Sequence, residues 1–261
     1  MKIVAVANQK GGVGKTTTVY HLALAAEAAG LRTLVVDADP QGNITRALAI
    51  EDIDPNTVSL ADALAPQTSV ALEDVVAETA WEKVTLVPAG GDKLASVEQS
   101  LTGQLGRESR LRQVLSPAAD SYDLVLIDCN PSISVLTTNA LVAAHGVLIV
   151  SRADMWSLDG LGRLFTSINA TREHYNKDLQ LLGVLVNQHE QRTNQARYWL
   201  SQLQEQTREA GIRLLDPVIP KRQIISDAPE SGARLEEFGS AGRELAAIYS
   251  THLHTLMKEN H

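Results

Sequence analysis

The sequence predicts an α/β fold: a doubly wound, mostly parallel sheet with helices on both faces. Two observations carry this. Short apolar runs rich in Val, Ile and Leu alternate with longer stretches of helical composition, and each such stretch is long enough to cross over between parallel strands. Runs this apolar read as strands buried on both faces. At 261 residues, 44% of them hydrophobic, the chain can bury one sizeable core, and a single domain over residues 1–261 is expected.

In chain order, residues 3–7 (Ile-Val-Ala-Val-Ala) form the first strand, and residues 16–29 supply the first helix. Strands at 33–36 and 84–87 follow, each a short run of β-branched and aliphatic residues. The stretch 52–80 between them is weakly patterned and reads as a surface excursion. A strand at 124–127, a helix at 134–144, a strand at 147–150, a helix at 158–174, a strand at 181–186 and a helix at 194–210 complete the alternation. No internal repeat or Pro/Gly/Ser-rich linker interrupts it. The first strand starts at once, so an appended N-terminal helix-turn-helix domain is not expected.

With 23 Lys plus Arg against 31 Asp plus Glu, the formal charge is -8. The overall field repels nucleic acid and anionic membrane, so any DNA binding must come from a local patch. A lone cysteine, Cys129, excludes an internal disulfide and a multi-cysteine metal site. No apolar stretch approaches the ~18 residues of a membrane span, and the N-terminus lacks a signal-peptide pattern. A cytoplasmic location is expected.

The run Lys10-Gly11-Gly12-Val13-Gly14-Lys15-Thr16-Thr17 follows a strand and opens a helix. That is the context of a phosphate loop, in which backbone N–H groups converge on phosphate at a helix N-terminus. Lys15 reaches the β- and γ-phosphates, the Thr16 hydroxyl ligates Mg²⁺, and Thr17 is placed to touch the α-phosphate. ATP and Mg²⁺ are the expected cofactors. The competing reading is a glycine-rich turn with a solvated lysine.

Two carboxylate motifs accompany it. In Val35-Val36-Asp37-Ala38-Asp39-Pro40-Gln41-Gly42-Asn43, Asp37 and Asp39 end a strand two residues apart and lean the same way if extended. They read alternatively as turn-formers ahead of Pro40 and Gly42. In Tyr122-Asp-Leu-Val-Leu-Ile-Asp128, an apolar strand ends in a carboxylate, the Walker B pattern, and Asp128 is expected to hold Mg²⁺ through water. Cys129 beside it reads as a buried small residue rather than a nucleophile.

Lys10, one residue before the first glycine, is not required by an ordinary Walker A loop. In this the sequence resembles the deviant Walker A P-loop ATPases, which include ParA, MinD and the nitrogenase iron protein. The resemblance implies that Lys10 acts in trans, crossing a nucleotide-sandwich dimer to the partner's phosphates. It also implies that Asp39 orients the attacking water and that Asp37 lies near the Mg²⁺ shell, making Lys10, Lys15 and Asp39 the catalytic set. Cys129-Asn130-Pro131-Ser132 resembles switch II, with Asn130 where a second proline is more usual. Asn187 and Pro220 match an adenine contact and its flanking proline.

Within that group, the Asp39-Pro-Gln-Gly-Asn43, Arg192-Thr-Asn194 and 219–229 runs resemble ParA/Soj proteins over nearly the whole chain. The tail at 253–261 lacks the basic amphipathic helix of MinD, and a single cysteine does not suit the iron protein. The ParA/Soj resemblance implies nonspecific DNA binding through Arg192, Lys221 and Arg222, although a second family arginine falls on Ile224. It further implies an ATP-dependent homodimer, a slow ATPase stimulated by a ParB-like centromere-binding partner, a nucleoid-associated location, and segregation of a plasmid or chromosome. A protein-cargo positioning ATPase with little need of DNA is the alternative, and a phosphate-transferring metabolic enzyme is a third reading. His252, His254 and His261 read as solvated residues in a frayed tail.

Overall fold

The computed structural model describes residues 1–51, 53–54, 57–66 and 70–258. Among these described residues, eight strands form one sheet in the order β3-β4-β2-β5-β1-β6-β7-β8. They are β1 (Lys2–Ala7), β2 (Thr33–Ala38), β3 (Ala77–Glu78), β4 (Val84–Val87), β5 (Leu124–Cys129), β6 (Gly146–Ser151), β7 (Gln180–Val186) and β8 (Leu214–Leu215). All neighbours pair parallel except β3, which runs antiparallel to β4. The first crossover carries the chain from β1 to β2, and β5 later inserts between them. The chain then returns across β1 to β6, so the order reverses beside β1, where open α/β sheets leave a crevice at their carboxyl ends.

Eleven α-helices occur among the described residues, nine between strands and two after β8: α1 (Lys15–Ala28), α2 (Asn43–Leu48), α3 (Leu60–Leu64), α4 (Leu72–Val75), α5 (Asp92–Leu101), α6 (Arg110–Leu115), α7 (Val135–Ala143), α8 (Met155–His174), α9 (Asn194–Glu209), α10 (Gln223–Glu230) and α11 (Gly239–Lys258). Alternation along each strand divides the apolar side chains between the two faces. Ile3, Ala5 and Ala7 of β1 join Val125 and Ile127 of β5 in one core, covered by α3 to α9. Val4, Val6 and Leu126 join the other, covered by α1, α2, α10 and α11. Each central strand is buried along its whole length, which is why the sequence shows continuous apolar runs there.

Two expectations are corrected. The stretch 52–80 is not a surface excursion where it is described: Leu60, Ala61, Ala63, Leu64, Leu72 and Val75 are buried in the first core. Its elements are too short for a period to show, at five residues for α3 and four for α4. The C-terminal segment is not frayed through Lys258 either. It is the last turns of α11, whose Tyr249, Leu253 and Leu256 pack in the second core with Tyr20 and Leu24 of α1.

His252 is accordingly buried rather than solvated, and its Nε2–H donates to the Pro217 carbonyl at 2.8 Å. Burial holds its imidazole below the ordinary histidine range. His254 is exposed, and His261 lies outside the described residues. No group of three or more His, Cys, Asp or Glu suited to a metal ion occurs among the described residues, and no described helix is long and apolar enough to cross a membrane.

Docking of α11 requires glycine at 242, where a Cβ would run into the backbone carbonyl of Leu235. Gly242→Ala is therefore expected to lower stability by about 2 kcal/mol through overpacking, read as a lower urea midpoint at unchanged slope.

Candidate phosphate-binding site

The carboxyl ends of β1, β2, β5 and β7 converge on the loop between β1 and α1. Asn8 anchors this loop: its Nδ2 donates to the Val150 carbonyl at 2.7 Å, while its Oδ1 accepts from the Lys10 N–H at 3.0 Å. Gly12 and Gly14 have φ of 70° and 91°, a region that costs most side chains strain. Gly14 is doubly constrained, because a Cβ there would collide with the side-chain amide of Asn187. Gly11 differs: its φ lies outside the left-handed region, it is exposed, and a Cβ there would meet nothing within 4 Å.

Lys15 is the first residue of α1 and is 7% exposed. Burial pulls its ammonium pKa down, opposed by the carboxylates of Asp128 and Asp39. The Thr16 hydroxyl donates to Asp128 Oδ2 at 2.7 Å. Asp128 Oδ1 is fully buried with no hydrogen-bond partner. Asp37 is the register partner of Asp128 on the adjacent strand. Burial raises both acids, Asp37 to about 6, with Asp37 adding to the upward shift of Asp128.

An orphaned buried carboxylate oxygen, the Thr16 hydroxyl and a second carboxylate form a hard-oxygen donor set, and they fit a small divalent cation such as Mg²⁺. Asp37, expected near that shell, also has a structural engagement. Its Oδ1 accepts from the Asp39 N–H at 3.1 Å, and its Oδ2 accepts from the N–H and hydroxyl of Thr45 at 3.0 and 2.5 Å. The oxygen left open is that of Asp128.

Asp39 sits at the mouth of the crevice, 7% exposed, with Oδ1 accepting from the Gln41 N–H at 3.0 Å. Asp39 shapes the turn leading to Gly42, the left-handed N-cap of α2, and its carboxylate also lies near the Lys15 charge. Cys129 is buried, and burial pushes its thiol upward, disfavouring the thiolate. Asn130 ties the following loop to α7 by accepting from the Thr137 hydroxyl at 2.6 Å.

Lys10 does not point into the phosphate loop. Its Nζ pairs with Asp154 Oδ2 at 2.7 Å, and Arg152 approaches the same oxygen at 4.0 Å. At the end of β7, Asn187 is 2% exposed and its Nδ2 donates to the carbonyls of Val13 and Gly14 at 3.2 and 3.4 Å. Pro220 is buried in a parallel bridge to His189.

Arg192, Lys221 and Arg222 are exposed on the two loops that this bridge joins. Lys221 shares its charge with Glu190 at 2.6 Å, and Arg222 Nη1 donates to the Lys221 carbonyl at 3.1 Å. Ile224 is half-buried against the second core, which accounts for an apolar residue at that position. Asn8, Thr45, Asp154 and Gln188 belong to the site but stand in no spacing that a sequence reading could have used.

A family profile described as an AAA domain matches residues 1–181. The sporulation initiation inhibitor protein Soj of Bacillus subtilis is 36% identical over 231 residues, 88% of each chain. The chromosome partitioning protein ParA of Myxococcus xanthus is 34% identical over 254 residues, covering 94% of this chain and 87% of that one. The chain belongs to the ParA/Soj family of partition ATPases. A solved structure named as cobyrinic acid a,c-diamide synthase of Mycobacterium smegmatis, with bound ADP and magnesium, superposes with a TM-score of 0.82 at 33% identity, over 98% of this chain and 94% of that one. The mostly parallel sheet and the loop between β1 and α1 are thus those of the ParA/Soj fold.

In this ParA/Soj chain Asn187 braces the phosphate loop from behind. Asn187→Ala leaves loop carbonyls without that donor and is expected to lower stability without nucleotide by about 1–2 kcal/mol, measured by chemical denaturation.

Proposed function

We propose that this chain is a slow ATPase switch for plasmid or chromosome segregation in the cytoplasm. ATP closes a sandwich dimer, the dimer binds nucleoid DNA nonspecifically, and a ParB-like centromere-binding protein stimulates hydrolysis and release. What supports the ATPase reading above all is the open Asp128 oxygen beside Thr16 and Lys15, at the N-terminus of α1.

Gly12, Val13, Gly14, Lys15, Thr16 and Thr17 cradle the triphosphate through N–H groups and the Lys15 charge. Mg²⁺, held by Thr16 and Asp128 with Asp37 alongside, neutralises phosphate charge when bound. Asp39 accepts a hydrogen bond from the attacking water and holds it in line with the γ-phosphate. Asp37 fixes Asp39 through its N–H. Asn187 and Pro220 border the adenine.

Dimer closure rests on Gly11 and Lys10. Nothing within the single chain demands glycine at 11, whereas a tight seam against a second copy does. Lys10 exchanges Asp154 for the partner's phosphates, and the exchange is cheap because a half-exposed ion pair contributes only about 0–1 kcal/mol.

Arg192, Lys221 and Arg222 contact DNA phosphates rather than bases. With a net charge of -8, and with Lys221 partly neutralised by Glu190, that binding is weak per chain and steeply salt-dependent.

Asp39→Ala is expected to retain ATP and the dimer while losing turnover by about 100-fold or more, the scale of a lost positioning or general-base contact; undiminished phosphate release would refute the role. Gly11→Val is expected to bind ATP as a monomer in light scattering, and a normal ATP dimer would overturn the seam assignment. Binding to a random-sequence duplex should require ATP, fail with ADP, and vanish in the Arg192→Ala, Lys221→Ala, Arg222→Ala triple variant. Absence of DNA binding in every nucleotide state would favour a protein-cargo positioning ATPase instead.

A further inference from the structure

Arg46 is an exposed residue of α2, and none of the roles above uses it. Its guanidinium turns back along the chain: Nη1 donates to the Gln41 carbonyl at 2.8 Å and Nη2 donates to Asn43 Oδ1 at 2.6 Å. On the way it passes Gly42, where an added Cβ would come within 3.8 Å of Nη1. The helix that carries Arg46 is itself held in place. Ile44 and Leu48 are buried in the second core, while the Thr45 hydroxyl donates to Asp37 and accepts from the Ala89 N–H at 3.2 Å. Arg46 therefore reaches from a fixed base to a loop.

That loop carries Asp39. The Gln41 N–H donates to Asp39 Oδ1 at 3.0 Å, and the Gly42 N–H donates to the Asp39 carbonyl at 2.9 Å. The peptide between Gln41 and Gly42 is thus held on both edges, its N–H by the Asp39 backbone and its carbonyl by Arg46. Gln41 is exposed, so hydrogen bonds rather than packing have to fix this turn. A planar guanidinium, with donors at fixed angles, spans a carbonyl and an amide oxygen together in a way that a single ammonium does not.

We infer that Arg46 is a positioning residue for hydrolysis: acting through Gln41, it holds the turn that aims the Asp39 carboxylate at the attacking water. The inference rests on the water-orienting role proposed for Asp39 above. Arg46 touches neither phosphate nor water in this role. Exposed side chains contribute little to global stability, whereas a reacting group displaced by about 1 Å can cost on the order of 100-fold in rate. Loss of Arg46 therefore acts on turnover and spares folding.

The test follows phosphate release from MgATP, long enough to time the slowest variant, together with affinity for a ribose-labelled fluorescent ATP and the urea midpoint. Wild type is compared with Arg46→Ala, Arg46→Lys, Asp39→Ala and the variant carrying both alanines. Arg46→Ala should lower kcat roughly tenfold, the scale of one lost hydrogen bond, with ATP affinity and urea midpoint unchanged. Arg46→Lys keeps one donor for the Gln41 carbonyl and should recover part of the loss. On top of Asp39→Ala, removing Arg46 should change nothing further, because the two act as one unit.

An unchanged kcat in Arg46→Ala beside a slow Asp39→Ala would overturn the inference alone. So would a fall in ATP affinity or urea midpoint as large as the fall in kcat, which marks a structural role, or a tenfold loss that persists without Asp39. Full turnover in Asp39→Ala would overturn the water-orienting reading and this inference with it.

Discussion

Two carboxylates buried side by side at the ends of β2 and β5 are the constraint around which the molecule is arranged. Bringing charge into such a place costs several kcal/mol per ion unless something compensates it. Asp37 is compensated from within by Thr45 and the Asp39 N–H, while Asp128 receives Thr16 on one oxygen and nothing on the other. The Lys15 ammonium, itself penalised by burial, supplies part of the missing charge. The site is therefore a socket short of positive charge, and it exists only because parallel pairing sets Asp37 and Asp128 in register.

The same register organises the surroundings. The loop after β1 is anchored from one side of the sheet, by the neighbouring β6 and by β7 beyond it: Asn8 reaches the Val150 carbonyl of β6, and Asn187 at the end of β7 reaches back to Val13 and Gly14. The phosphate loop is consequently rigid before any ligand arrives, and donors fixed in advance lose little on binding. Lys10 lies outside this rigid frame, tied to Asp154 by a half-exposed pair. The arrangement separates a stiff cradle from one adjustable cation.

How legible this was in the sequence depended on the length scale of each signal. Strands such as residues 3–7 and 124–127 stood out because burial on both faces leaves an unbroken apolar run, and Lys10 to Thr17, Asp37, Asp39 and Asp128 stood out because each sits where such a run ends. The helices between residues 60 and 75 were hidden because one turn of helix shows no period. α11 was misjudged because its buried face includes His252 and Tyr249, polar residues whose burial depends on α1 and Pro217 lying opposite. Asp154 and Gln188 were invisible for another reason: their partners, Lys10 and Gly12, are more than 140 positions away, and only the fold brings them together.

Both margins of the sheet are closed by stubs, β3 and β8, each two residues long. Long unpaired margins invite strands from other molecules and lead to open-ended polymers. Here neither margin offers a ladder long enough to template one. Growth by adding strands is blocked at both ends, so any higher-order assembly of this chain has to be built from loop and helix surfaces, contacts that are remade or lost one interface at a time.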